Sequence, residues 1–104
     1  MEINFKNNKM KKTCEDYKKL TQEYGNQQAE QIIKRINELV SAENLYDISK
    51  LPQARLHLLI GNLKGCLAVD LKQPYRLILS PENGDLSNWK SITIIKILDI
   101  KDYH

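Results

Sequence analysis

Apolar and polar positions change period part-way along the chain. Residues 2–5 (Glu-Ile-Asn-Phe) alternate and predict a short first strand. Asn7 and Asn8 follow as candidate helix N-caps. From Lys9 to Tyr24, Met10, Cys14, Tyr17, Leu20 and Tyr24 recur at gaps of three and four, which predicts one helix with those residues in the core. Gly25 stops it, and Asn26 is expected to cap a second helix. There Ala29, Ile32, Ile33, Ile36, Leu39 and Val40 form one stripe, with Gln31, Lys34, Arg35 and Glu38 opposite. A connection this short predicts an antiparallel helical hairpin.

The second half reads as strands. Leu45–Leu51 can make one helical turn before Pro52. Arg55–Ile60, Cys66–Leu71 and Tyr75–Leu79 are short β-type segments bounded by Gly and Pro, and 81–85 (Pro-Glu-Asn-Gly-Asp) is a turn, with Trp89 packing beneath it. Ser91–Ile100 is apolar on both faces and predicts a covered strand. Helices first and strands later give an α+β fold. A two-helix antiparallel hairpin is expected on one face of a mostly antiparallel, four- to five-stranded sheet. Alternation in Arg55–Ile60 places Leu56, Leu58 and Ile60 toward the helices, with Arg55 and His57 away from them. In Tyr75–Leu79 it leaves Arg76 on that same open face, where Asp70 is a possible cross-strand partner.

Composition narrows the field. The 104 residues fit one domain, and 41% hydrophobic with 28% charged residues is ordinary globular composition. A net charge of +3 permits a polyanionic partner without requiring one. No apolar run reaches the roughly 18 residues of a membrane span, and residues 1–12 lack the apolar core of a secretory signal. Cys14 and Cys66 are expected as free thiols in a reducing cytoplasm, and two Cys with two His give no metal-ligand spacing.

The run Arg55–Leu79 (RLHLLIGNLKGCLAVDLKQPYRLIL) carries Leu56, His57, Gly61 and Gly65, then Pro74–Leu77, and the chain closes on Asp102, Tyr103 and His104. Together with the element order, these features resemble the HigB-type plasmid maintenance killer proteins of the RelE/ParE toxin superfamily. The resemblance implies the toxin of a type II toxin–antitoxin pair: a ribosome-dependent endoribonuclease that cuts messenger RNA, uses no cofactor or metal and acts in the cytoplasm. It also implies a helix-turn-helix antitoxin as partner, through which alone operator DNA is bound, and no membrane. Ile60 and Leu63 depart from it, since many relatives carry cations there.

Metal-independent RNA cleavage sets the 2′-hydroxyl against the adjacent phosphate. It needs a base, an acid and a cation on the phosphate oxygens. By the resemblance, His57 and His104 share proton transfer, Asp102 orients or activates, Tyr103 stacks on or hydrogen-bonds a base, and Arg76 stabilises the phosphorane. Arg55, Lys64, Lys72, Lys9 and Lys12 are candidate RNA contacts, because phosphate contacts give sequence-blind affinity. The alternative is a superfamily member that is not an enzyme and binds a protein target, as gyrase poisons do, or only its antitoxin.

Overall fold

The computed structural model describes residues 1–102. Strand β1 is Glu2–Phe5. Asn7, in extended conformation, then caps α1 (Asn8–Cys14), its Oδ1 accepting from the Met10 N–H at 2.9 Å. The single helix expected over Lys9–Tyr24 is two. Asp16 leaves helical conformation, and its Oδ1 accepts from the N–H groups of Lys18 and Lys19 at 3.0 and 3.3 Å, starting α2 (Tyr17–Tyr24). A carboxylate that satisfies two orphan donors offers the backbone an alternative to continuing the helix. Tyr17 thereby falls on the first position of α2 and is exposed, not core.

Gly25, at φ 84°, ends α2 and begins α3 (Asn26–Ser41) at once. Asn26 is the first residue of α3, and no side chain caps it. The stripe on α3 holds in its centre: Ala29, Ile32 and Leu39 are buried, while Ile33 and Ile36 are half-buried and Val40 is exposed. Arg35, expected on the polar face, is instead only 5% exposed. Its guanidinium is the reason: three hydrogen bonds satisfy it inside the protein. The Met1 ammonium donates to the carbonyls of Leu39, Val40 and Ala42 at the C-terminal end of α3, a position the helix dipole favours for a cation. Asn44 then caps α4 (Leu45–Ser49).

The remaining strands are β2 (His57–Leu58), β3 (Leu67–Asp70), β4 (Tyr75–Pro81) and β5 (Ile94–Asp102). They form one five-stranded sheet in the order β1-β5-β4-β3-β2. Strand β1 runs parallel to β5, and the other neighbours are antiparallel. Leu67, Val69, Leu77, Leu79, Ile95 and Ile97 pack with Leu20, Ala29, Ile32, Leu39, Leu45 and Ile48 into one core between helices and sheet. Each such buried aliphatic side chain contributes roughly 1.5–3 kcal/mol.

Two strands differ from expectation. Arg55–Ile60 shrinks to the two residues of β2, and Arg55 lies outside it at φ 45°. Leu58 and Ile60 were expected under the helices but are 49% and 88% exposed, while Leu56 does reach the core. Strand β2 is the sheet edge, and a hydrophobic pattern there has no layer to press against. Ser91–Ile100 starts later, at Ile94, because Trp89–Ser91 coils into a 3₁₀ turn. Trp89 packs on the core as expected. The loop before it depends on Gly84, at φ 71°, where a Cβ would lie 2.4 Å from the Ser91 carbonyl oxygen. Asn83 braces that loop, its Oδ1 accepting from the N–H groups of Thr93 and Ile94 at 2.9 and 3.0 Å. No helix among the described residues is long and apolar enough to cross a membrane.

Candidate functional site

Register fixes what shares the helix-free face. His57 pairs with Ala68, and Ala68 with Ile78. One step along, Asp70 pairs with Arg76, and Arg76 with Lys101. Side chains alternate along a strand, so both rows project from the face opposite Leu67, Val69, Leu77 and Leu79. His57 and Arg76 are separated by two strand spacings, about 10 Å, and one two-residue step, about 7 Å along the strands. Ala68 and Ile78 are buried on this face, apart from the main core.

The three arginines of the chain, Arg35, Arg55 and Arg76, converge on one residue, Asp70. Arg55 grips its carboxylate with two donors, Nε to Oδ2 at 2.7 Å and Nη2 to Oδ1 at 3.1 Å. That fork is the strong bidentate geometry of guanidinium with carboxylate. The hydrogen bonds and charge of Asp70 raise the Arg55 pKa above its ordinary value. Arg76 places Nε 3.8 Å from Oδ1, an ion contact longer than a hydrogen bond. From the helical layer, Arg35 reaches through to donate Nε to the Asp70 carbonyl at 2.8 Å and Nη2 to the Gln53 carbonyl at 3.0 Å. The cross-strand pairing of Arg76 with Asp70 is as the sequence suggests.

His57 Nδ1 lies 2.7 Å from the Arg55 carbonyl oxygen. A carbonyl can only accept, so Nδ1 carries a proton, and in the neutral ring the acceptor is Nε2. That Nε2 is buried and has no hydrogen-bond partner among the described residues. An orphaned buried polar atom costs about 1–3 kcal/mol, and such atoms call for an explanation in function. Arg55, whose carbonyl holds the ring, is the only non-glycine residue at positive φ among the described residues. That conformation costs roughly 1–2 kcal/mol.

The other sequence candidates lie elsewhere. Asp102 pairs with Tyr75, so alternation turns it to the face opposite Arg76. Lys64 is exposed in the loop after β2. Lys72 follows β3, its main chain clamped in both directions by the Gln28 amide at 2.9 Å and its ammonium bonded to Gln27. Lys9 and Lys12 lie on α1, which packs on β1 at the sheet edge far from β2; with Lys19 they border a shallow concavity of about 280 Å³. Tyr103 and His104 lie outside the described residues. Among the described residues no group of three or more His, Cys, Asp or Glu could hold a metal ion. Sequence reasoning missed Lys101, which continues the Arg76 row, and Asp70 as its centre. Carrying the alternation past Ile100 would have found Lys101.

No family model matches the chain, and no curated protein does. Among solved structures it is similar to a chain of the YoeB–YefM complex from Staphylococcus aureus, with 21% identity, a TM-score of 0.53 and coverage of 100% of this chain and 98% of that one. The helices on a five-stranded mixed sheet are thus a RelE/YoeB-like fold.

Proposed function

We propose that this protein is the toxin of a type II toxin–antitoxin pair and acts in the cytoplasm as a metal-independent endoribonuclease on ribosome-bound messenger RNA. The fold it shares with a chain of a YoeB–YefM complex supports the toxin assignment and a cognate antitoxin as partner. The sequence resemblance to HigB-type proteins supports the helix-turn-helix character of that antitoxin, with operator DNA bound only through it. The observation that carries the chemistry is His57, pinned at Nδ1 and with no partner for Nε2 among the described residues, on the same face as Arg76 and beside Arg55.

In this reading, Nε2 of His57 takes the 2′-hydroxyl proton as the 2′-oxygen bonds to phosphorus. Arg76 and Arg55 neutralise charge on the non-bridging oxygens. The bond to the 5′-oxygen breaks, and His104 supplies its proton. The products are a 2′,3′-cyclic phosphate and a 5′-hydroxyl. Tyr103 stacks on a base, and Lys64, Lys72, Lys9, Lys12 and Lys101 contact phosphates more remotely.

The test is primer extension on transcripts after induction, with purified protein on programmed ribosomes beside it. The natural chain is expected to produce discrete cuts, and His57→Ala to lower the cleavage rate by about 10²–10⁴-fold, the range of general acid–base help. Uncut RNA with arrested growth points to a protein target instead. Uncut RNA with neither arrest nor a DNA-damage response points to a partner-binding relic. That last outcome is favoured by Ile60, 88% exposed and uncharged where many HigB-type relatives carry a cation.

A further inference from the structure

Arg55 is joined to both halves of the proposed site. Its guanidinium is forked onto Asp70, and its own carbonyl holds the Nδ1 proton of His57. Asp70 is itself anchored from several directions. Its N–H donates to the Ala54 carbonyl at 2.7 Å, its carbonyl accepts from buried Arg35 at 2.8 Å, and it sits in the ladder opposite Arg76. Arg35 also holds the Gln53 carbonyl. The segment leading into His57 is therefore tied at Gln53, Ala54 and Arg55 to Arg35 and Asp70, beside the Gln53–Glu38 contact and the local turn hydrogen bonds to Leu51 and Pro52. Strand β2 itself pairs over only two residues, so the Asp70 fork is the side-chain contact that holds Arg55 in its left-handed conformation.

We propose that Asp70 is a positioning residue: its carboxylate sets the two guanidiniums of Arg55 and Arg76 side by side as a phosphate cradle, and through Arg55 it locks His57 in the tautomer whose Nε2 accepts a proton. The inference rests on the assignment of His57 as the base. The Asp70 carboxylate is only 12% exposed, so it acts from behind the cradle. Its negative charge offsets the repulsion that would otherwise push the two guanidiniums apart.

The experiment compares Asp70→Asn and Arg55→Ala with the natural chain. Asp70→Asn keeps size and both main-chain contacts and removes the charge. Arg55→Ala cuts the tether while leaving the Arg55 carbonyl in the chain, and the Arg55 side chain is 53% exposed, so this variant folds even where the other does not. Ring ¹⁵N spectra, with His57 assigned by its loss in His57→Gln, are expected to show the Nδ1–H form in the natural chain and a mixture of tautomers in either variant. Ribosome-dependent cleavage is expected to fall by about 10–100-fold in kcat, the scale seen when a histidine loses its orienting partner. The double variant should shift the His57 tautomer little more than either single one, because both cut the same link to His57. Unchanged His57 tautomer in both variants overturns the proposal, as does a tautomer shift in the double variant equal to the sum of the two single shifts. The tautomer readout needs no RNA. A tautomer shift in a protein that cuts no transcript upholds the positioning role and removes the nuclease assignment instead.

Discussion

The two faces of the sheet are made from alternate residues of the same strands, yet different physics holds them. Toward the helices, Leu67, Val69, Leu77 and Leu79 are at most 1% exposed and interlock with residues of α2, α3 and α4. Away from them, Asp70, Arg76 and Lys101 line up across three strands, with Ala68 and Ile78 buried beside them. The first face is non-directional: any well-fitting aliphatic set fills it. The second is directional, because each guanidinium must meet a particular oxygen. One face therefore explains why the chain folds, and the other carries its individuality. Arg35 belongs to both, since it rises from α3 and ends on the Asp70 carbonyl.

That contrast can be broken at graded cost. Leu77→Ala should lower stability by about 2–5 kcal/mol, the cost of a cavity under a fully buried leucine, measured by chemical denaturation. A loss no larger than that of an exposed position would mean that the helical layer is not the principal support. Arg35→Met should cost about 1–3 kcal/mol, because the carbonyls of Asp70 and Gln53 lose their donor inside the protein. It should also slow cleavage at temperatures where the variant is fully folded. If only stability moves, the two faces are independent and Arg35 does not link them.

The smallest effect lies in the helical layer alone. Burial pushes the Cys14 thiol up to about 11, with Glu23 and Glu15 adding to it. The unfolded chain releases that proton nearer 9.0. The contribution of Cys14 to stability is thus fully present below pH 9.0 and is lost as pH rises toward about 11. Thermal melts at stepped alkaline pH should show this decline beginning below the range of Tyr24, whose phenol is pushed by burial to about 12. Cys14→Ala should remove the earlier part of the decline. An unchanged melting profile in that variant would assign the decline to other groups.

The core and the element order were legible in the sequence because periodicity reports burial. The α3 stripe, the Asn7 cap, the turn at 81–85 and the open-face placement of His57 and Arg76 all follow from spacing. Arg35 was not legible: a buried arginine has the same pattern as one on a polar face, and the carbonyls it serves belong to Gln53 and Asp70, outside its own helix. The shortened β2 was hidden for the converse reason, since Leu58 and Ile60 have strand composition but no neighbour above them. The break at Asp16 was within reach, as aspartate is a favoured helix start. The φ of Arg55 was not, because no residue type announces a left-handed arginine. Of the candidate site, the residue types were visible but their common centre, Asp70, was not.

Strand β5 has one further consequence, for the order of events during synthesis. In space it lies between β1 and β4, and Glu2 finds its partner at Ile94. A nascent chain that has not yet delivered residues 94–102 holds β1 without a neighbour and β4 with one side open. Pairing over such a span is slow to nucleate, since loop closure precedes any gain. The sheet therefore closes only after residues 94–102 have left the ribosome, and the Arg76–Lys101 row across β4 and β5 cannot assemble until then.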